Sequence, residues 1–202
     1  SDFPLNQDGE PLSADITLAS SYLDLPVSLK TKATQEGNII QLNDLQGTLP
    51  DINLNGKMIL DRTTMLAAGN IQANIKNLDQ YKTLIGNKIS GAGKINISLS
   101  HPDEFQQAEV KADIKNVTFD NISAGNISLS TLTKDIQNIW ASQADIKVKN
   151  LKTANISFNQ VEATIKQKAS VYLLDIKGSG RYQNPFSFTA TGDLQGLKED
   201  LQ

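Results

Sequence analysis

The stretch Gly93-Lys94-Ile95-Asn96-Ile97-Ser98-Leu99-Ser100 alternates small or apolar side chains with polar ones, and 108–115 (AEVKADIK) repeats the scheme. Successive side chains of a strand point to opposite faces, so this period of two predicts strands with one apolar and one polar face. The same alternation recurs at 69–76, 126–129, 144–148, 155–158, 161–165 and 186–192. The pattern predicts an all-β chain.

Less regular alternation in the N-terminal third marks further strands at 12–18, 25–31 and 52–60. The total is about a dozen strands, at spacings typical of antiparallel sheet. Two stretches break the period of two. The apolar residues of 77–86 have helical spacing, with Asn77 as a candidate N-cap and Gly86 as a stop, and 133–143 has a second helical pattern.

Composition and charge exclude several classes of protein. The 202 residues carry 19 basic and 22 acidic side chains, a formal net charge of −3, without the excess of basic residues that nucleic-acid binding requires. The chain has no cysteine and one histidine, His101, which removes disulfide frameworks, thiol catalysis and most zinc sites. Its apolar runs are too short to span a bilayer.

No group of residues has the spacing of a catalytic or metal site. His101 lies among turn residues, which favours a polar loop over a general base or a metal ligand. The glycine pairs 91/93 and 178/180 alternate within strand patterns, which favours bends or close backbone approach over a phosphate loop. We therefore expect a protein that is not an enzyme and uses no cofactor.

The chain is interpreted as one elongated unit, 1–202, with a weak sub-boundary near 63–68 where the alternation becomes cleaner. The tetrapeptide Asn-Ile-Ser-Leu (or Phe) begins at Asn96, Asn126 and Asn155. A second tetrapeptide, Ala-Asn/Asp-Ile-Lys, begins at Ala73, Ala112 and Ala144. The intervals within the two motifs run from 29 to 39 residues, which suggests a reused unit of two or three strands and does not suit the constant repeat of a parallel β-helix adhesin. The absence of an initiator Met and of a signal-peptide core predicts a section of a longer protein.

The stretch 77–100 resembles a recurring unit of the TamB family, in which a short Leu-rich helix and a Gly precede Ile/Leu-Ser-Gly-x-Gly and an alternating strand. Pro102 and the strand 110–116 (VKADIKN) match the Pro-containing turn and the second strand of that unit, and the succession of segments from 144 to 196 is also similar. The resemblance covers about 69–197.

The resemblance implies a section of an AsmA-like, periplasmic bridge protein of Gram-negative bacteria. The implied fold is all-β, a long, curved, antiparallel-rich sheet curled into an open trough (a β-taco) with an apolar interior and one or two short helices. The implied function is to accommodate phospholipid acyl chains in transport between the inner and outer membranes, linked to outer-membrane biogenesis. The full-length protein would be anchored in the inner membrane by an N-terminal helix, absent here, and would contact the outer-membrane barrel TamA.

The inward apolar positions of the strands are the candidate lipid-binding residues, and charged side chains are almost absent from these positions. They are Ile71, Ile75, Ile95, Ile97, Leu99, Val110, Ile114, Ile127, Leu129, Ile146, Val148, Ile156, Phe158, Val161, Ile165, Phe186 and Phe188.

Two alternatives to a lipid conduit use the same sheet. An ordinary sandwich core would show the same alternation. A structural or chaperone module could instead handle outer-membrane β-barrel substrates through its strand edges.

An isolated section of a long sheet has two unpaired edge strands, so we also expect the fragment to dimerise.

Overall fold

The computed structural model describes residues 12–22, 25–102, 104–136, 142–168 and 171–194. Most of this part of the chain belongs to twelve strands, each antiparallel to its neighbours in sequence. They are β1 (Leu12–Tyr22), β2 (Leu25–Glu36), β3 (Ile39–Leu49), β4 (Ile52–Asp61), β5 (Ala67–Ile75), β6 (Ile89–Ser100), β7 (Gln107–Phe119), β8 (Ile122–Thr133), β9 (Ser142–Lys152), β10 (Ser157–Lys168), β11 (Val171–Tyr182) and β12 (Asn184–Leu194). The predicted all-β fold is confirmed.

The twelve strands form one open sheet in the order of the sequence. β1 and β12 lie at opposite edges, and among the described residues each pairs with a single strand. The strands pack against their sequence neighbours, and in the described part of the chain no second layer of strands covers the sheet. This architecture is the expected open trough with an apolar interior. Dimerisation through the two edges stays a prediction.

The register places the apolar side chains of successive strands on the same face. Residues directly opposite each other in an antiparallel ladder share a face. Ile71 of β5 lies opposite Ile97 of β6, which lies opposite Val110 of β7. Farther along, Leu129 of β8 lies opposite Ile146 of β9. We call the face that carries these residues the apolar face, and the opposite one the outer face.

Three strands contain a residue in the left-handed region that keeps their apolar residues on this face: Asp44 in β3, Asn116 in β7 and Asn150 in β9. In β3 the register shifts between Leu42 and Leu45, and Asp44 lies between them with a φ of 52°. The extra residue moves the apolar positions from even to odd numbers, so Leu42 and Leu45 share a face. Asn116 has the same φ of 52° in β7. Asp and Asn suit these positions because they tolerate the left-handed region better than most residues.

The segment between β5 and β6 is helical, as predicted for 77–86. It consists of a 3₁₀ turn (Asp79–Tyr81) and α1 (Lys82–Ile85), and Gly86 ends it with a φ of 75°. The predicted N-cap lies one residue too early: the Oδ1 atom of Asn77 accepts the Asp79 N–H at 3.0 Å, in the turn that precedes the helix.

This helical segment is held against one end of the sheet. The Tyr81 hydroxyl donates a hydrogen bond to the Pro50 carbonyl at 2.8 Å, and the Leu78 N–H donates to the Gly91 carbonyl at 3.0 Å. Leu78 Cδ1 lies 3.6 Å from the position that a Cβ on Gly91 would take. Residue 91 lacks a side chain where the helical segment approaches the strand.

Two other expectations fall on connecting segments. In the stretch 133–143, Thr133 ends β8 and Ser142 begins β9, whereas 137–141, where the second helical pattern is centred, lies outside the described residues. The weak boundary at 63–68 falls on the turn between β4 and β5, and these two strands pair along nine residue positions.

Two glycines of β11 leave room for aromatic rings of β12. Gly178 lies opposite Phe188, and Gly180 lies opposite Phe186. Phe158 of β10 meets these two rings edge-on, with centroid distances of 6.3 Å to Phe188 and 5.6 Å to Phe186. A Cβ on Gly180 would lie 2.4 Å from the carbonyl oxygen of Ser157 and 3.0 Å from the Phe186 ring. Close approach, the interpretation favoured for 178/180, is confirmed.

We expect Gly180→Ala to lower the free energy of unfolding by about 1–3 kcal/mol, because the new methyl overlaps backbone that cannot retreat. Gly192→Ala is the matched control, since a Cβ there has no atom within 4 Å, and it should change stability by less than about 0.5 kcal/mol. Urea unfolding measures both. Equal effects of the two substitutions would contradict the packing described for Gly180.

Candidate functional site

The apolar face is the candidate functional site. Sixteen of the seventeen candidate residues lie on it by register, and Ile156 is the exception. Ile156 lies in the turn before β10, where its carbonyl accepts the Thr153 N–H at 2.9 Å. Within the described strands, no Asp, Glu, Lys, Arg or His lies on this face.

Rows of apolar side chains cross the sheet at right angles to the strands. One row, from β4 to β12, reads Leu54, Ala73, Ile95, Ala112, Leu129, Ile146, Ala163, Ile176 and Ala190. No member of this row offers a side-chain hydrogen bond. Branched side chains stand mostly beside alanines, so each large side chain has room against a small neighbour, as in a packed layer. The row makes a continuous aliphatic surface across nine strands.

The apolar face is half-buried and has no sealed interior. Among the described residues, the only buried apolar side chains are Leu45, Ile75 and Ala124, with exposures of 8%, 8% and 5%. Twelve strands of about eleven residues span roughly 53 Å by 37 Å, or on the order of 1,900 Å². Monomeric proteins rarely expose apolar patches above about 600 Å². In the described part of the chain, the sheet lacks the second layer that a sandwich core needs.

A recess lies on the apolar face of the first three strands. A cavity of about 210 Å³ is lined mainly by Leu12, Ile16, Ala33, Ile40 and Leu42, from β1, β2 and β3. The lining is almost wholly apolar in character. The sheet is therefore concave on this side, at least across its first three strands.

Two buried polar side chains lie on the same three strands, and both have hydrogen-bond partners. Thr31 is 7% exposed and donates to the Asn43 carbonyl at 2.9 Å. Gln35 is 8% exposed and donates to the Gly37 carbonyl at 3.1 Å. Because their hydrogen bonds are made to the backbone, these groups do not need a polar ligand.

Sequence reasoning missed the contribution of β1 to β4 to this face. β3 was the strand without a clear pattern, because the irregularity at Asp44 changes the numbering of the inward positions halfway along it. A search that allows one extra residue at an Asp, Asn or Gly within an alternating run would have found Leu42 and Leu45. The candidate residues all lie from β5 onward, whereas the recess lies before it.

The outer face carries charged and amide side chains. The carboxylate of Glu162 on β10 lies between two lysines, 2.5 Å from Lys147 Nζ on β9 and 3.2 Å from Lys177 Nζ on β11. Hydrogen bonds from Lys147 and then from Lys177 hold the pKa of the Glu162 carboxyl below its ordinary value. On β5 and β6, Gln72 donates to Asn96 Oδ1 at 2.9 Å.

Neither His101 nor a cluster of metal-ligating side chains adds a second candidate site among the described residues. His101 is exposed in the turn after β6, as favoured from the sequence. Across the described ranges, no three His, Cys, Asp or Glu side chains come together as ligands of a metal ion. In the same ranges no helix is long and apolar enough to cross a membrane.

Within the described ranges, the fold and the site define a class of protein: a single open antiparallel sheet, polar on one side, with an uncharged and uncovered apolar trough on the other. Comparisons with protein-family models, with curated proteins and with solved structures found no match. The chemistry of the two faces is therefore the basis for assigning a function.

We expect Glu162→Gln to lower stability at pH 7 and to have a smaller effect at pH 3. The pKa of Glu162 is lower in the folded chain, so its ionised form stabilises the fold above the ordinary value of 4.5. This contribution is lost as the pH falls through the lowered folded pKa. Urea unfolding at both pH values measures the difference.

Glu36→Gln is the matched control, because Glu36 is exposed and forms no ion pair within the described residues. It should have little effect at either pH. A Glu162→Gln effect of the same size at pH 3 and pH 7 would contradict the electrostatic role.

Proposed function

We propose that this chain is a section of a periplasmic bridge protein whose apolar trough accommodates the acyl chains of phospholipids moving between the inner and outer membranes. The observation that carries the proposal is the uncharged apolar face, which crosses the whole sheet without a covering layer in the described part of the chain. The resemblance to the TamB family supports the same function and links it to outer-membrane biogenesis.

The energetics of lipid transfer explain what such a face would do. Exposing acyl chains to water costs about 0.8 kcal/mol per methylene, or roughly 12 kcal/mol for a chain of about sixteen carbons. A continuous apolar surface removes most of this barrier while the headgroup stays in water. Side chains such as Ile97 and Leu129 offer no hydrogen bonds, so a chain can move along the rows without a specific anchor.

The open edges suit one section of a longer path. Twelve strands cover about 53 Å along the sheet. Among the described residues, β1 and β12 each pair on one side only, which in this proposal permits the same sheet to continue on either side. In this proposal the inner-membrane anchor and the contact with TamA belong to other parts of the full-length protein. Directional movement then depends on those parts.

We expect Ile97→Asp to reduce the lipid that co-purifies with the chain at least about tenfold, because a carboxylate on the apolar face must keep its hydration shell. Ile97 lies in the middle of β6, opposite Ile71 and Val110. Native mass spectrometry of the purified protein measures bound lipid, and circular dichroism measures folding. Ile127→Asp on β8 is a second, independent variant.

Asn96→Asp is the matched control, since it adds the same charge one residue away, on the outer face, where Asn96 already accepts a hydrogen bond from Gln72. It should leave bound lipid unchanged. Unfolding of both apolar-face variants, together with a native chain that never carries lipid, would overturn the proposal in favour of a closed core. Crosslinking of β-strand peptides to the edges of a lipid-free chain would instead favour the chaperone alternative.

A further inference from the structure

Two rows of the outer face carry the same arrangement of cations with different centres. In the inner row, Lys147 of β9 and Lys177 of β11 flank Glu162 of β10. In the row at the strand ends, Lys152 of β9 and Arg181 of β11 flank Ser157 of β10. The chain supplies an anion between the first pair of cations and a hydroxyl between the second pair.

The second row, which we call the basic rim (Lys152, Ser157 and Arg181), has no counter-ion among the described residues. The Glu162 carboxylate contacts both of its flanking lysines, at 2.5 and 3.2 Å. Within the described part of the chain, neither Lys152 nor Arg181 forms an ion pair. The two Cα atoms are two strand spacings apart, about 10 Å, so their long side chains can reach a common anion above Ser157.

The basic rim lines a recess at the strand ends. The recess has a volume of about 340 Å³, and besides the rim residues its described lining includes Thr153, Asn155 and Gln183. None of its described lining residues is a carboxylate. Hydroxyl and amide groups beside two cations match the needs of a phosphate group, which accepts several hydrogen bonds and binds a guanidinium in a bidentate manner.

We propose that the basic rim binds the phosphate of a phospholipid headgroup whose acyl chains lie on the apolar face. This site rests on the proposed function, because the lipid tails must find the trough beside it. Ser157 is the first residue of β10, and the next residue, Phe158, belongs to the apolar face, where it contacts Phe186 and Phe188. A lipid at this edge places its phosphate on one side of the strand ends and its tails on the other.

The experiment compares three soluble probes by isothermal titration with the full chain: dihexanoyl phosphatidylglycerol, dihexanoylglycerol and glycerol 3-phosphate. The first carries tails and phosphate, the second tails alone, and the third phosphate alone. We expect the native chain to bind the phospholipid about tenfold more tightly than dihexanoylglycerol, through charge-assisted hydrogen bonds. The preference should weaken at high salt, since the rim is exposed.

The variants separate the rim from the trough. The double substitution Lys152→Gln/Arg181→Gln should remove the preference while dihexanoylglycerol binds as before. Ser157→Glu should also remove the preference for the phospholipid, because the new carboxylate supplies the anion that Glu162 provides in the inner row. The matched control is Lys94→Gln/Lys115→Gln, which removes two cations from the outer face of β6 and β7. This variant should retain the preference for the phospholipid.

The outcomes distinguish the two proposals. Equal binding of the two lipids by the native chain, or a preference that survives both rim variants, would overturn the headgroup site and leave the trough standing. Glycerol 3-phosphate binding as tightly as the phospholipid would assign the rim to a free phosphate compound and overturn the headgroup assignment. Failure of both lipids to bind would overturn the proposed function itself.

Discussion

The structure depends on the opposition of successive side chains in a strand, with an extra residue, as at Asp44 of β3, keeping the apolar side chains on one face where the alternation shifts. Because the period is two, one face receives nearly all the aliphatic side chains and the other receives the charges. A second sheet would turn the aliphatic face into an ordinary core. The described chain has no such sheet, so the fold is stabilised by cross-strand neighbours and backbone ladders, and the aliphatic side chains stay half-buried.

The two faces of the sheet differ in composition and in how their charges are arranged. The apolar face is mostly aliphatic, and its row from Leu54 to Ala190 consists of branched side chains and alanines that offer no side-chain hydrogen bond to hold a ligand in one place. The outer face is heterogeneous and balances its charges locally, most clearly where Glu162 meets Lys147 and Lys177. The basic rim departs from this balance, and it lies at the strand ends, where its Ser157 directly precedes Phe158 of the apolar face.

Much of the fold could be predicted from the sequence, because strands with clean alternation reveal their inward residues directly. Most of the length of the strands from β5 onward was of this kind, and sixteen candidate residues share one face as a result. β3 was not, because Asp44 adds a residue and moves its inward positions from even to odd numbers. The recess among the first three strands was missed for the same reason. The helical segment after β5 was found by its spacing and by Gly86, whereas its start was placed one residue too early.

The sequence by itself determined the strands, the direction in which most side chains point, and the absence of charge from the apolar face. These are local properties, set by the identity of each residue and its position within an alternating run. Only the tertiary structure decided whether that face is sealed or open, because covering it depends on which distant strands meet. It also decided which charges are neighbours: Lys152 and Arg181 are 29 positions apart in the chain, and only the register of β9, β10 and β11 brings them to the two sides of Ser157.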